Sequence, residues 1–449
     1  MNLMHIAWQL ARPSAGRRGP LLLTLSAYAV VTALALIVVG GALSFRQFDP
    51  QAQPFYLSLA GLAAILLVIP LLVLGRAAAQ LSARSQDRAL ASLRLLGATG
   101  VDVRAISVLQ AFGAAVLGAL GGVGLYLVLV PLVGLLRFQG ASLGTSLMAP
   151  VPVILLVLAV VAVLSIVSSL LGLRRLVITP LAVRKRAVVS SPHWVRALVM
   201  VLGLGMLSVL FSNLGVIAQD LAVMLLVLIG GLGLGLAVLN LMGPWLVAKV
   251  AQRKLRKAQN AASLLGARMI LESPQQAWRQ VSGVAMAAFV AVVGGSGAAM
   301  IQATSSSDLA GWEAYLATDM LTGVLLTLGI SFCCVAASSA ITQSAATLDR
   351  ADLYRGLDRL GMPLHLMNQA RVKSVMLPTL TAAIGFGLAS ALLVLPLAGL
   401  AMLLQPVTVL VVLGTVVAGL LVVRVAISLA APQRILDGPR GQGILAPVE

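Results

Sequence analysis

Residues 106–136 read "ISVLQAFGAAVLGALGGVGLYLVLVPLVGLL", a run without a single charged side chain. A transmembrane helix needs about 20 consecutive apolar residues, so this stretch is long enough to cross a bilayer. The rest of the 449-residue chain has the same character, with 60% hydrophobic and 10% charged residues and a mean hydropathy of +1.04. Soluble domains carry about 25% charged residues. The composition therefore predicts an all-α polytopic membrane protein and excludes a soluble globular domain.

Further apolar runs lie on both sides of this stretch. Together they predict about ten transmembrane helices, at 21–43, 55–75, 106–136, 151–173, 197–216, 221–247, 281–302, 318–340, 374–398 and 406–430. The third and sixth runs are long enough to tilt or to extend beyond the bilayer.

The basic residues predict the orientation of these spans. With the N-terminus in the cytoplasm, Arg46 and Arg137 are the only two of the 31 basic residues outside, as the positive-inside rule requires. Both termini are then cytoplasmic. The preference of basic residues for the cytoplasmic side accounts for the net charge of +18. The clusters at 184–186 and 253–257 are expected to be attracted to anionic lipid head groups. Membrane lipids are therefore expected partners, and nucleic acid is not.

A charged stretch precedes the opening run: residues 84–105 read "RSQDRALASLRLLGATGVDVRA". At 100° per residue its apolar side chains gather on one side of a helix: Ala89, Leu90, Leu93 and Leu96. The opposite side is polar and carries Arg84, Asp87, Arg88 and Arg94. This spacing predicts an amphipathic helix between the second and third spans, on the cytoplasmic side.

A second stretch repeats this pattern 264 residues later. Residues 349–361 read "DRADLYRGLDRLG", and the shift places Leu96 and Gly97 on Leu360 and Gly361. Its polar side carries Asp352, Arg355, Asp358 and Arg359. The motifs "VLVPLVG" (128–134) and "LVLPLAG" (393–399) extend the likeness. Spans one to four are therefore predicted to recur as spans seven to ten in a parallel repeat, with spans five and six as a connecting helix pair. The predicted parts are 1–187, 188–261 and 262–449, and the chain is expected to act as a pseudo-dimer.

Two interpretations of the amphipathic helices remain open from the residues alone. Each could lie on the membrane surface with its polar side in water. Alternatively, each could dock a soluble partner and convey its motion into the two adjoining spans. Intermixed Arg and Asp favour a specific polar interface, because contact with anionic lipid alone favours basic residues only.

The motif "LRLLGA" (93–98) and the basic segment "ITPLAVRKR" (178–186) resemble the signature region and the exit segment of FtsX-like ABC permeases. In that family a charged helix ends in an "LRxLGA"-like turn after the second span of a four-span domain. This chain departs from the family at Gln110, near the place where a glutamate is common. The second stretch keeps "LDRLG" (357–361) and is otherwise degenerate.

The resemblance implies the permease subunit of an ABC transporter in the bacterial cytoplasmic membrane. Its partner would be a cytoplasmic ABC ATPase, expected to be a homodimer that binds ATP and Mg²⁺ itself. No GxxxxGK[ST] phosphate loop occurs in this chain, so it is not expected to be an enzyme. Twelve residues would couple it to the ATPase: Arg84, Asp87, Arg88, Arg94, Leu96, Gly97, Asp352, Arg355, Asp358, Arg359, Leu360 and Gly361.

Three functions remain open. The first is ATP-driven export or extraction of a hydrophobic or amphipathic compound, such as an antimicrobial peptide, a lipid or a drug. The second is a regulator that passes ATPase motion to a cell-envelope partner, which the short predicted outer segments disfavour. The third is an ATP-independent carrier, which would want an acidic residue in mid-membrane; Asp220 and Asp319 are predicted only at outer span ends. The three histidines lack ligand spacing, so no metal site is predicted.

Small residues recur at intervals of four within the spans. Ala114, Gly118 and Gly122 share one side of the third span, as do Gly231 with Gly235 and Ala291 with Gly295 in the sixth and seventh spans. Such spacing predicts close helix packing. Arg424 is predicted to reach the cytoplasmic interface from the end of the tenth span.

Overall fold

A computed structural model describes residues 18–95, 99–177, 194–217, 220–304, 311–349, 356, 361, 363–403 and 405–429. Within these ranges the chain is almost entirely helical. The helices are α1 (Arg18–Ser44), α2 (Gln53–Leu95), α3 (Gly100–Gly134), α4 (Val151–Val177), α5 (Trp194–Ser212), α6 (Leu214–Ile217), α7 (Leu221–Arg256), α8 (Ala261–Glu272), α9 (Pro274–Thr304), α10 (Leu316–Asp349), α11 (Leu364–Leu403) and α12 (Pro406–Leu429). A hairpin of two short antiparallel strands, β1 (Arg137–Phe138) and β2 (Ala141–Ser142), lies between α3 and α4.

Nine segments of the described chain are long and apolar enough to cross a membrane. They are Leu21–Gln47, Gln53–Ala79, Gly100–Gly134, Gly144–Leu170, Leu226–Arg256, Pro274–Ala303, Gly311–Gln343, His365–Gly399 and Thr408–Ser428. Nine of the ten predicted spans are thereby matched in place.

The predicted fifth span, 197–216, corresponds to a shorter apolar helix over Val201–Ser212. The side-chain amide of Asn213 donates to the carbonyl of Val209 at 2.9 Å. Because this side chain competes with the backbone for that carbonyl, it favours a helix end, and α5 stops at Ser212.

The chain forms two compact units: Met1–Ala60 with Leu71–Val188, and Gly61–Pro70 with Val189–Glu449. In the first unit α3 packs on α1 and α4. A Cβ built on Gly118 would lie 2.9 Å from the carbonyl oxygen of Leu25, and one built on Gly122 would lie 2.6 Å from that of Ala29. The prediction that these glycines serve close helix packing is therefore confirmed.

Aromatic side chains close one end of the first unit. The ring centroid of Phe45 lies 5.2 Å from that of Phe48, 5.6 Å from that of Tyr56 and 5.4 Å from that of Phe138. Nearby, the Tyr126 hydroxyl donates to the carbonyl of Leu147 at 2.7 Å. The same hydroxyl accepts from the backbone N–H of Ala149 at 2.8 Å. This end, predicted to face outward, is held by aromatic rings in tilted contact and by a buried hydroxyl.

Helix α9 is the centre of the second unit. All residues from 281 to 296 are buried, because α7, α10, α11 and α12 pack around them. The Trp278 indole covers Gly243 of α7, donates to the Asn240 side chain at 3.0 Å and lies 5.0 Å from the ring of Phe386 on α11. One aromatic side chain thus fixes α9 against two neighbouring helices.

The glycines that were predicted to serve packing in the sixth and seventh spans also lie in contacts of this unit. A Cβ on Gly231 would lie 2.6 Å from the Phe211 ring, one on Gly235 would lie 2.8 Å from Leu393, and one on Gly295 would lie 3.3 Å from Thr408. Helix α11 contains Pro378 and Pro396, and it kinks at Gly399, whose φ of 72° suits glycine.

Candidate coupling site at the helix ends

The first charged stretch is the continuation of α2. Arg84, Asp87, Arg88 and Arg94 all lie within this unbroken 43-residue helix. The expectation of a separate amphipathic helix between two spans was therefore wrong for this copy. The chain from 81 to 95 contains neither glycine nor proline and is rich in Ala, Leu and Arg, so the helix has no reason to stop at the end of the apolar run. Leu96 and Gly97 lie outside the described residues.

A capping box starts the next helix. Thr99 Oγ1 accepts from the backbone N–H of Asp102 at 3.3 Å, and the Thr99 N–H donates to the Asp102 carboxylate at 3.1 Å. These two bonds satisfy backbone donors that the first turn of α3 leaves free. The signal was visible in the sequence as a Thr and an acidic residue three positions apart, and sequence reasoning missed it.

Most of the second charged stretch lies outside the described residues: Asp352, Arg355, Asp358, Arg359 and Leu360. Gly361 is described, is exposed and has a φ of 76°. L-residues with a side chain rarely adopt this conformation, so glycine suits the position. Two residues later, Pro363 offers its carbonyl to the N–H of Leu366 at 3.0 Å, as α11 begins.

On the N-terminal side of that stretch, a pair of amides joins α10 to α9. The Gln343 side chain donates to the Gln280 side chain at 3.1 Å. Gln343 is buried and lies in the last two turns of α10, which ends at Asp349. The end of α10 is thus attached to the central helix.

On the C-terminal side, a buried arginine joins α11 to α12. Arg371 is 3% exposed, and its guanidinium donates to the carbonyl of Ile427. Ile427 lies in the last turn of α12, where carbonyls lack a helical partner and carry partial negative charge. Arg371 thus caps α12. Sequence reasoning missed this role because the predicted ninth span began at 374.

Arg424, which was predicted to reach the interface, is exposed.

The first unit has a neutral counterpart at the start of its third long helix. Ser107 on α3 and Ser169 on α4 are buried, with hydroxyl oxygens 3.4 Å apart. One turn further on, the Tyr28 hydroxyl donates to Ser165 at 3.1 Å, which donates to the carbonyl of Ala111 at 3.0 Å. The shift of 264 that aligns the two charged stretches also aligns Ser107 with Arg371.

Helix α8 braces the start of α11. A Cβ on Gly266 would lie 3.0 Å from the carbonyl oxygen of Ala370 and 3.2 Å from Lys373 Cβ. The side of α8 that faces its neighbours is buried at Ala262, Gly266, Ala267 and Ile270. The first turns of α11 are therefore held from two directions, by α8 and through Arg371 by α12.

Acidic groups in the described part of the chain do not gather into a centre. Asp319, which was predicted at an outer span end, lies in the first turn of α10, where the helix dipole favours a carboxylate. It is buried, at 4% exposure. Among the described residues, no group of three His, Cys, Asp or Glu side chains could hold a metal ion.

These observations define the chain as a multi-pass membrane protein with about nine candidate spans. No protein-family model, curated protein or solved structure matches it. The resemblance to FtsX-like permeases therefore rests on the quoted motifs.

Proposed function

We propose that this chain is the permease subunit of an ABC transporter, of the FtsX-like kind, in a bacterial cytoplasmic membrane. A separate cytoplasmic ATPase would supply the energy. The observation that carries the proposal is the junction of α2 and α3. A charged helix end, Arg84 to Arg94, prolongs an apolar helix and overlaps the "LRLLGA" motif (93–98). The next described helix has its start fixed by the Thr99 cap.

In this mechanism the ATPase contacts the charged end of α2. A displacement there is passed back along α2 as far as Pro70, where the helix bends most easily, because residues 71–95 form one continuous helical segment. It is also passed to α3, because the capping box leaves the start of α3 little freedom.

The second contact would be the stretch that holds Asp352, Arg355, Asp358 and Arg359. It connects α10 to α11, and both of these helices are tied to neighbours close to the connection, through Gln343 and Arg371. A push on the connection would therefore reach α9 and α12 as well.

The predicted repeat supports a two-fold partner. In each half the first long helix packs on the third, α1 on α3 and α9 on α11. A pseudo-dimer with two such contacts would suit a homodimeric ATPase that binds two ATP and Mg²⁺.

The cargo is proposed to be a hydrophobic or amphipathic compound, such as a peptide, a lipid or a drug. The described connections between α1 and α2 and between α3 and α4 are short, and each is packed against its own helix ends. They offer no separate domain for a large partner, which favours cargo taken from the bilayer and disfavours a purely regulatory role.

The test is co-purification of the ATPase with the full chain from its native membrane. We expect a stoichiometric ATPase from the wild type, and loss of most of it from the double variant R88D/D358R. The matched control is R76D, which reverses an exposed charge on the same helix α2 outside the charged stretch; it should retain the ATPase.

Three outcomes separate the functions. Absence of an ATPase in mild detergent would contradict the proposal and favour an ATP-independent carrier. An ATPase that is retained by R88D/D358R at wild-type yield would refute the assignment of the contact. An ATPase whose rate does not respond to any peptide, lipid or drug in a screen would favour the regulator.

A further inference from the structure

Seven exposed cations lie on or next to three helices of the second unit that pack on one another. They are Lys249, Arg253, Lys254 and Arg256 on α7, Lys257 directly after it, Arg268 on α8 and Lys373 on α11. We call this set the basic elbow. Helix α8 packs on both α7 and α11, and Lys373 Cβ lies beside Gly266 of α8. The fold therefore brings together three helices that carry cations from positions up to 124 residues apart in the chain.

The cations of the basic elbow have no acidic partner among the residues that the structure describes. Glu272, at the end of α8, is the one acidic residue between 249 and 273. Within 249–273, six positive charges stand against one negative charge, which favours an anionic occupant.

Two of these cations, Lys249 and Arg256, lie on the side of α7 that carries exposed leucines. Leu234 and Leu241 are exposed, at 57% and 68%, on a helix apolar enough to span the membrane. At 100° per residue Leu234, Leu241, Lys249 and Arg256 fall within about 80° of one another. The exposed apolar surface of α7 thus leads directly into the cations, and Lys249 lies only about 12 Å along the axis from Leu241.

Helix α8 adds an apolar contact next to the charges. Leu264 is 48% exposed on the side of α8 that also bears Arg268, since the two are four residues apart. An exposed leucine beside an arginine suits the boundary between head groups and acyl chains. A protein or nucleic-acid partner approaching from the cytoplasm would not need that leucine or the leucines of α7.

We propose that the basic elbow binds the head groups of anionic phospholipids, and that phosphatidylglycerol-type phosphates bridge α7, α8 and the start of α11. Lys and Arg side chains bind phosphate through charge-assisted hydrogen bonds. Because α8 braces α11 at Gly266, an occupied site would hold the start of α11 in its described position. The proposal does not depend on the cargo or on the ATPase.

The test uses the full chain in vesicles of phosphatidylcholine that contain brominated phosphatidylglycerol or, in a parallel series, brominated phosphatidylcholine. Bromine quenches tryptophan fluorescence, and Trp245 lies on α7 one turn before Lys249. The difference between the wild type and W245F isolates its signal. We expect phosphatidylglycerol to be preferred by roughly fivefold for each cation in contact, and 0.5 M NaCl to remove most of the preference.

The variant K254Q/R256Q/K257Q should lower that preference by roughly fivefold for each of these three cations that contacts lipid. The matched control R76Q/R137Q/R424Q removes the same charge from exposed residues on other elements, and it should keep the wild-type preference. Equal quenching by both brominated lipids in the wild type would overturn the proposal, as would an equal loss in the control. Unchanged lipid preference in K254Q/R256Q/K257Q with loss of a bound protein would assign the surface to a protein partner.

Discussion

Replacing Gly122 with alanine tests whether α1 and α3 pack backbone to backbone. Its added Cβ would lie 2.6 Å from the carbonyl oxygen of Ala29 and 2.7 Å from Thr32 Cβ. Ordinary contact begins at 3.4 Å, so the two helices must separate by about 0.8 Å at this point, which forfeits a quarter to a half of the dispersion energy of the contact. No rotation of a side chain can relieve the clash, because the closest atom belongs to the backbone.

The net effect follows from two opposing terms. Alanine in place of glycine favours a helix by about 0.5–1 kcal/mol. Overpacking of a closed contact costs about 1–3 kcal/mol. We therefore expect G122A to lower the free energy of unfolding by about 1–2 kcal/mol. Gly124 lies on the same helix, is exposed and has nothing within 4 Å of a built Cβ. G124A should therefore raise the free energy of unfolding by about 0.5 kcal/mol.

The assay is reversible unfolding of the purified chain in mixed detergent micelles, followed by tryptophan fluorescence. The informative quantity is the difference between the two variants, because each carries the same added methyl group on the same helix. If G122A is as stable as G124A, α1 and α3 are not in backbone contact at Gly122, and the reasoning about the glycine spacing is refuted.

Three more variants test the helix ends. Arg371→Met should lower the free energy of unfolding by about 1.5–3 kcal/mol, because a charge-assisted hydrogen bond is lost. The control Arg424→Met, at an exposed position, should change it by less than about 0.5 kcal/mol. A similar effect of both variants would contradict the assignment of Arg371 as the cap of α12. Thr99→Ala should lower the free energy of unfolding by about 1 kcal/mol and speed amide hydrogen exchange in the first turn of α3. Unchanged exchange there would contradict the capping box. Gln343→Leu should cost about 1–2 kcal/mol, because it leaves the half-buried side-chain carbonyl of Gln280 without its donor. Adding Gln280→Leu should restore most of the loss. Additive losses in thermal unfolding would show that the two amides do not interact.

The parts of the fold that the sequence predicts are those governed by local pattern. Apolar length locates nine of the spans, and a spacing of four residues identifies Gly118 and Gly122 as packing positions, since both signals are complete within one helix. The length of α2 was not predicted, because hydropathy marks where a helix leaves the bilayer and not where it ends. In water the residues up to Leu95 continue the helix by their own propensity.

The candidate site depends on longer-range contacts. Arg371 contacts the end of α12, at a residue 56 positions away in the chain. No local feature of the sequence around 371 predicts this contact. The same holds for Gln280 and Gln343, which are 63 residues apart. The Thr99 and Asp102 cap is the exception, because its two partners lie within one helical turn.

The length of α2 gives its proline a mechanical meaning. Pro70 lies inside this helix and has no N–H to offer the carbonyl one turn earlier, so the helix bends there at lower cost than elsewhere. From Pro70 to Leu95 the helix extends for about 38 Å at 1.5 Å per residue. A change of about 10° at the proline would thus swing the tip sideways by about 7 Å, simple lever geometry on the same 1.5 Å rise. A small change of angle within the bilayer would therefore produce a large displacement at the tip of α2, because the helix between Pro70 and the tip is continuous.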